Sequence, residues 1–129
     1  MRRLILTILA LAPGLAIADG YLCVVKEAYL ISPHGTLRRD SVYETALSKR
    51  PSSVNRDRGV ITGGPMDNKW ATDIRVLDRG SDSSALKILS IRAMDDPYYL
   101  RVNVFHDGLD KSFVGHTGSE IFVGTCKAI

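Results

Sequence analysis

Two cysteines constrain this chain more than any other feature. Cys23 stands near one end, Cys126 three residues from the other, and there is no third. In an oxidising compartment two such thiols pair, and their bond closes almost the whole domain into one loop. The chain-entropy treatment assigns such a loop about 4.7 kcal/mol of stabilisation at 100 residues, less any native strain. No Cys-x-x-Cys and no ligand cluster accompanies either residue. The pairing therefore reads as structural rather than redox-active or metal-binding.

Whether the bond forms depends on where the chain goes. Arg2 and Arg3 precede an apolar stretch from Leu4 to Ala12, Pro13-Gly14 interrupts it, and Ala16-Ile17-Ala18 places small residues before Asp19. This order predicts a secretory signal at 1–18, cleaved before Asp19, with a single β-rich domain at 19–129. The run is too short and broken for the roughly 20 apolar residues of a membrane span. Tyr21-Leu22 puts bulky residues where a lipid-modified Cys23 would need small ones, and the context of a twin-arginine signal is missing. The expected location is periplasmic or secreted, with no membrane span in the mature chain.

The leader also accounts for the basic character. The chain carries 17 Lys and Arg against 14 Asp and Glu, a net charge of +3, and two of the basic residues are Arg2 and Arg3. What is left is nearly neutral and has no field suited to nucleic acid. With 129 residues, 45% of them hydrophobic, the chain supports one core and not two.

The dominant period beyond the leader is two, with turn residues at intervals suited to short antiparallel strands. Leu22 to Ile31 is rich in β-branched and aromatic residues and stops at Ser32-Pro33-His34-Gly35. In Tyr98 to Phe105, Leu100, Val102 and Val104 alternate with Arg101 and Asn103; in Trp70 to Leu77, Trp70, Thr72, Ile74 and Val76 share a face. Asp78 to Ser84 reads as a turn. From Ala85 to Arg92 the apolar phase switches between Ile88 and Leu89, which predicts a bulge or a strand buried on both faces. Val54-Asn55 and Val60-Ile61 flank Arg56-Asp57-Arg58-Gly59 as a hairpin with a G1-type bulge. A last hairpin from Lys111 to Cys126 is expected to turn at Gly115-His116-Thr117-Gly118. Asp40 to Lys49 is the exception: Ser41-Val42-Tyr43-Glu44 fits a capping box, and Pro51 ends the helix. The expected fold is a compact antiparallel β-barrel or sandwich of about seven strands with one short helix, its termini joined through Cys23 and Cys126.

A catalytic constellation is not apparent. His34, His106 and His116 sit beside glycines in expected turns or strand ends and form no ligand pair. His106-Asp107-Gly108-Leu109-Asp110 lacks the alternating acidic series of a calcium loop, and Asp95-Asp96-Pro97 reads as a turn rather than an acid/base pair. Gly80-Ser81-Asp82-Ser83 lacks the second glycine of a nucleophile elbow, and Ile61-Thr62-Gly63-Gly64-Pro65 lacks the lysine of a phosphate loop. No cofactor is expected. Tyr99, Arg101, Asn103 and Phe105, on the outward side of their strand, combine aromatic area with hydrogen bonding and form the candidate partner-contact face.

Four segments carry a family likeness: Cys23-Val24-Val25-Lys26, Ser53-Val54-Asn55-Arg56 followed by Gly59-Val60-Ile61-Thr62-Gly63, Val76-Leu77-Asp78-Arg79-Gly80, and Phe122-Val123-Gly124-Thr125-Cys126. On these the chain resembles a family of small exported proteins of Gram-negative bacteria without an assigned reaction, and more weakly the periplasmic lysozyme inhibitors. The resemblance implies a compartment and, through the second family, inhibition of a cell-wall hydrolase. The expected function is a non-catalytic periplasmic binding or interaction module, its partner another periplasmic protein. The alternatives are such an inhibitor, a small enzyme whose groups are gathered only by folding, and a structural envelope component.

Overall fold

The computed structural model describes residues 19–129, so the secretory-signal reading of 1–18 lies outside the described residues. Nine strands and one helix follow in the order β1 (Gly20–Ile31), β2 (Leu37–Arg39), α1 (Ser41–Ser48), β3 (Ser52–Asn55), β4 (Ile61–Thr62), β5 (Asp73–Arg79), β6 (Leu86–Ile91), β7 (Tyr98–Val102), β8 (Asp110–Thr117) and β9 (Glu120–Ala128). The count exceeds seven in part because β2, three residues long, shows no period in the sequence. All pairings are antiparallel, in the order β4-β3-β1-β9-β8-β7-β6-β5, with β2 paired to β1 beside this path. The result is a single curled half-barrel, not two stacked sheets.

Alternation decides which side faces the core. Leu86, Ile88, Leu100, Val102, Phe113, Phe122 and Cys126 point inward and are buried. In β1 the register shifts between Val25 and Glu27, so Lys26 is extra and the inward phase passes from Tyr21, Cys23 and Val25 to Ala28. Cys23 and Cys126 are register partners on β1 and β9 and are disulfide-bonded, with Cα atoms 3.9 Å apart and both side chains in the core. A side chain at Gly124, just upstream, would collide with the Val24 carbonyl.

The helix closes part of the concave side, placing Leu47 in the core and Tyr43 edge-on to Phe122, with ring centroids 6.2 Å apart. Its cap differs from the expected box. Asp40, not Ser41, is the N-cap, accepting from the Tyr43 backbone N–H at 3.0 Å. Glu44 is thereby freed for tertiary contact. Its Oε1 accepts from the Ala28 N–H at 3.1 Å and from Arg39 Nε at 2.7 Å. The Arg39 hydrogen bond outweighs burial and, with the Ala28 amide, holds the Glu44 carboxyl below the usual glutamate range. A depressed folded pKa contributes stability that is present above the unfolded value, about pH 4.3, and is lost as pH falls through the folded value. Glu44→Gln is expected to lower stability at neutral pH and to flatten the acid limb below about pH 4. An unchanged acid limb in pH-dependent urea unfolding would remove this linkage.

Three further expectations are corrected. β6 is regular and carries no bulge; the register shift lies across from it, between Val76 and Asp78 of β5, leaving Leu77 exposed. The inward position that breaks the apolar phase is Ser90, buried and bonded to Asn68 Nδ2 at 3.0 Å. The β8–β9 turn is Gly118-Ser119, so Gly115 and His116 lie within β8. Gly115 is needed there because Met66 Sδ would stand 2.7 Å from any added Cβ. Trp70 and Thr72 precede β5, and β7 ends at Val102, before Asn103 and Phe105.

The edges of the half-barrel meet without a ladder. The expected hairpin joins β3 to β4, with Gly59 at φ +71, and its turn lies against Ile74, Val76 and Ile88. Arg56, buried, donates from Nε to the Arg79 carbonyl at 2.5 Å and from Nη2 to the Gly80 carbonyl at 2.6 Å. Asp57 pairs with Arg79 alongside. The seam is thus stitched by side chains.

Candidate functional site

At one end of the half-barrel the inward register row runs Ser90, Tyr98, Thr117, Glu120 across β6, β7, β8 and β9. This register sets Tyr98 and Glu120 on one rim. The segment before β5 supplies Trp70. Asp67 holds it in place, accepting from the Gly63 and Lys69 N–H groups at 2.8 and 3.0 Å, while its carbonyl accepts from Trp70 Nε1 at 2.9 Å. The indole meets Tyr98 edge-on, with centroids 4.7 Å apart.

The β6–β7 connection forms the other wall. Arg92 Nε donates to Asp95 Oδ2 at 2.6 Å, and Met94 at the tip has φ 73 and is fully exposed. Asp96 lies over the β8–β9 turn, where Gly118, at φ +46, leaves room; an added Cβ would stand 2.9 Å from Asp96 Oδ2. Together these enclose a cleft of about 450 Å³ lined by Trp70, Arg92, Asp95, Asp96, Tyr98, Thr117, Gly118, Ser119 and Glu120.

Three carboxylates face one guanidinium, and Arg92 is committed to Asp95. Among the described residues neither Asp96 nor Glu120 is in an ion pair. Glu120 accepts only a long hydrogen bond, 3.4 Å, from Thr117 Oγ1. Burial, then the Glu120 charge, raises the Tyr43 pKa, so that phenol stays protonated behind the rim. The cleft can therefore accept hydrogen bonds and a positive charge beside an aromatic surface.

The residues singled out from sequence lie elsewhere. Tyr99 and Arg101 are on the outer face of β7, opposite Leu89 and His116, and Lys87 and Val114. Asn103 follows the strand and joins them, accepting from Arg101 Nε at 3.0 Å and donating to Ser112 Oγ at 2.8 Å. Phe105 is separated into the β7–β8 connection and packs on His106. His34, His106 and His116 are all exposed, His34 in the β1–β2 connection, His106 in the β7–β8 connection and His116 next to the end of β8. Among the described residues no three His, Cys, Asp or Glu side chains gather as a metal site, and no helix is long and apolar enough to cross a membrane. In the sequence Asp95-Asp96 reads as a turn and Trp70 as part of a strand face; the lone tryptophan and the acidic doublet are the signals that point to the cleft. No protein-family model, curated protein or solved structure matches this chain.

Proposed function

We propose that this chain is an exported, non-catalytic binding module of the periplasm or extracellular space, whose rim cleft takes an amine or guanidinium group on an apolar stem. The observation that carries this reading is the juxtaposition of the Trp70–Tyr98 wall with Asp96 and Glu120, two carboxylates without a cationic partner. A cation over an indole gains about 0.5–2 kcal/mol, and a charge-assisted hydrogen bond to a carboxylate adds to it. The Cys23–Cys126 bond supports the compartment, since such bonds persist where the surroundings oxidise thiols.

Trp70 is the sole tryptophan, so its emission reports on the cleft. Titration with diamines, amino sugars and Lys- or Arg-containing peptides is expected to give a saturable change that weakens with salt. Asp96→Asn and Glu120→Gln are each expected to weaken binding about tenfold. Equal binding of neutral or anionic probes, or no loss in either variant, would overturn the reading.

A second reading rests on Met94, an apolar side chain wholly in solvent on a loop held in left-handed conformation. In it the β6–β7 loop enters the cleft of a cell-wall hydrolase such as lysozyme and inhibits it. Inhibition of lysozyme that is lost in Met94→Asp would favour this reading; no inhibition at excess protein would dismiss it.

A further inference from the structure

The chain contains an aspartate followed by glycine twice, at Asp19-Gly20 and at Asp107-Gly108. Such a pair is chemically exposed, because the glycine amide reaches the preceding side-chain carboxyl with no Cβ in its way. The fold treats the two pairs differently. Gly20 is buried in β1, the Asp19 carbonyl accepts from the Arg56 N–H at 3.0 Å, and the Gly20 carbonyl accepts from the Ile129 N–H at 3.1 Å. Turning that peptide would break the sheet.

Asp107 and Gly108 instead lie in the exposed β7–β8 connection, beyond stems that are tied. The Asn103 N–H donates to the Ser112 carbonyl at 2.9 Å, the His106 N–H donates to the Asn103 carbonyl at 3.2 Å, and Lys111 Nζ donates to the His106 carbonyl. Past those anchors the tip is free. Among the described residues neither Asp107 nor Gly108 takes part in a hydrogen bond or an ion pair. Gly108 has φ +99, and no atom beyond its chain neighbours stands within 4 Å of where a Cβ would be.

Elsewhere the amide that would have to attack is occupied or missing. After Asp57 the Arg58 N–H donates to Asn55 Oδ1 at 2.8 Å, after Asp67 the Asn68 N–H donates to the Ile61 carbonyl at 3.1 Å, and after Asp82 the Ser83 N–H donates to Ser81 Oγ at 3.2 Å. Asp96 precedes Pro97, which has no N–H.

We infer that Asp107 is a site of spontaneous covalent modification, converting to isoaspartate through a succinimide shared with Gly108. The Gly108 nitrogen bonds to Asp107 Cγ, and the amide proton and the carboxyl hydroxyl depart as water. Water then adds at either carbonyl of the ring. Addition at Cγ restores aspartate; addition at the backbone carbon leaves a free α-carboxylate and a chain that runs through Cβ and Cγ. Nothing is oxidised or reduced, and mass and charge are unchanged. The altered tip touches neither the core nor the rim cleft, so the inference holds whether or not the cleft takes a cation.

The test is to incubate the purified, oxidised protein for weeks at neutral pH, digest it with trypsin, and separate the isomers of the Val102–Lys111 peptide by chromatography, with electron-transfer fragmentation to place the isomerised residue. A second isomer, with isoaspartate at position 107, is expected to grow with time, while Asp19 stays unchanged. In the reduced protein in urea both Asp-Gly pairs are expected to convert. Asp107→Glu, whose longer side chain cyclises far more slowly, is expected to lose the second isomer. Conversion at Asp19 equal to that at Asp107 in the folded protein would overturn the role assigned to the loop, as would an unchanged Asp107 under conditions in which the unfolded chain converts.

Discussion

Replacing Cys23 and Cys126 together by alanine is expected to lower the unfolding free energy by about 4–5 kcal/mol, the scale set by cross-linking a loop of this size. The two residues are 103 apart in sequence, so the bond restricts nearly every conformation of the unfolded domain. A loss of that size is a large share of the roughly 5–15 kcal/mol by which a small domain is stable. Urea unfolding should show a lower midpoint and a steeper denaturant dependence, because the uncrosslinked chain exposes more surface when it opens. Since both sulfurs are in the core, reductant should act on the native protein only through opening, and slowly below the midpoint. A loss under about 1 kcal/mol would mean that the bond records the fold without stabilising it.

Asn68→Ala is expected to cost about 3 kcal/mol, large for one polar side chain. Asn68 is fully buried, and its amide joins three elements. Oδ1 accepts from the Ile61 N–H at 2.7 Å, and Nδ2 donates to the Gly59 carbonyl at 2.8 Å and to Ser90 Oγ at 3.0 Å. Truncation leaves groups of the β3–β4 hairpin and β6 without partners inside the core, each worth about 1–3 kcal/mol. Asn68→Asp should be at least as damaging near neutral pH, since a carboxylate sets acceptor against the Gly59 carbonyl. Because one bond is shared, Asn68→Ala with Ser90→Ala should cost less than the two changes added. Additive losses in thermal or urea unfolding would argue against a connected network.

These energetics also explain what could be read from the sequence. Strands whose partners bury a plain alternating face, such as Leu100 and Val102 or Phe122 and Cys126, were legible because local period and tertiary burial agree. The β3–β4 hairpin was legible through Gly59, which supplies a conformation few residues tolerate. β6 was misread because Ser90 faces inward, a placement that makes sense only once Asn68, distant in sequence, satisfies its hydroxyl. Likewise Asp40 and Ser41 are both acceptable caps locally, and the contacts of Glu44 with Arg39 and Ala28 decide between them. The cleft was not legible. Residues 70, 92–98 and 117–120 converge only through the registers of four strands, and no short-range pattern encodes that meeting.

The position of β1 has a consequence for how the domain comes into being. It lies between β3 and β9, and its longest pairing is with the last strand of the domain. If the polypeptide emerges with β1 leading, that strand waits with an unsatisfied edge until nearly everything else has arrived. Such long-range pairing makes assembly slow, and a bare β edge recruits neighbouring molecules. A holding chaperone, or rapid oxidation on arrival of the final segment, would therefore have its greatest effect on yield rather than on the stability of the finished protein.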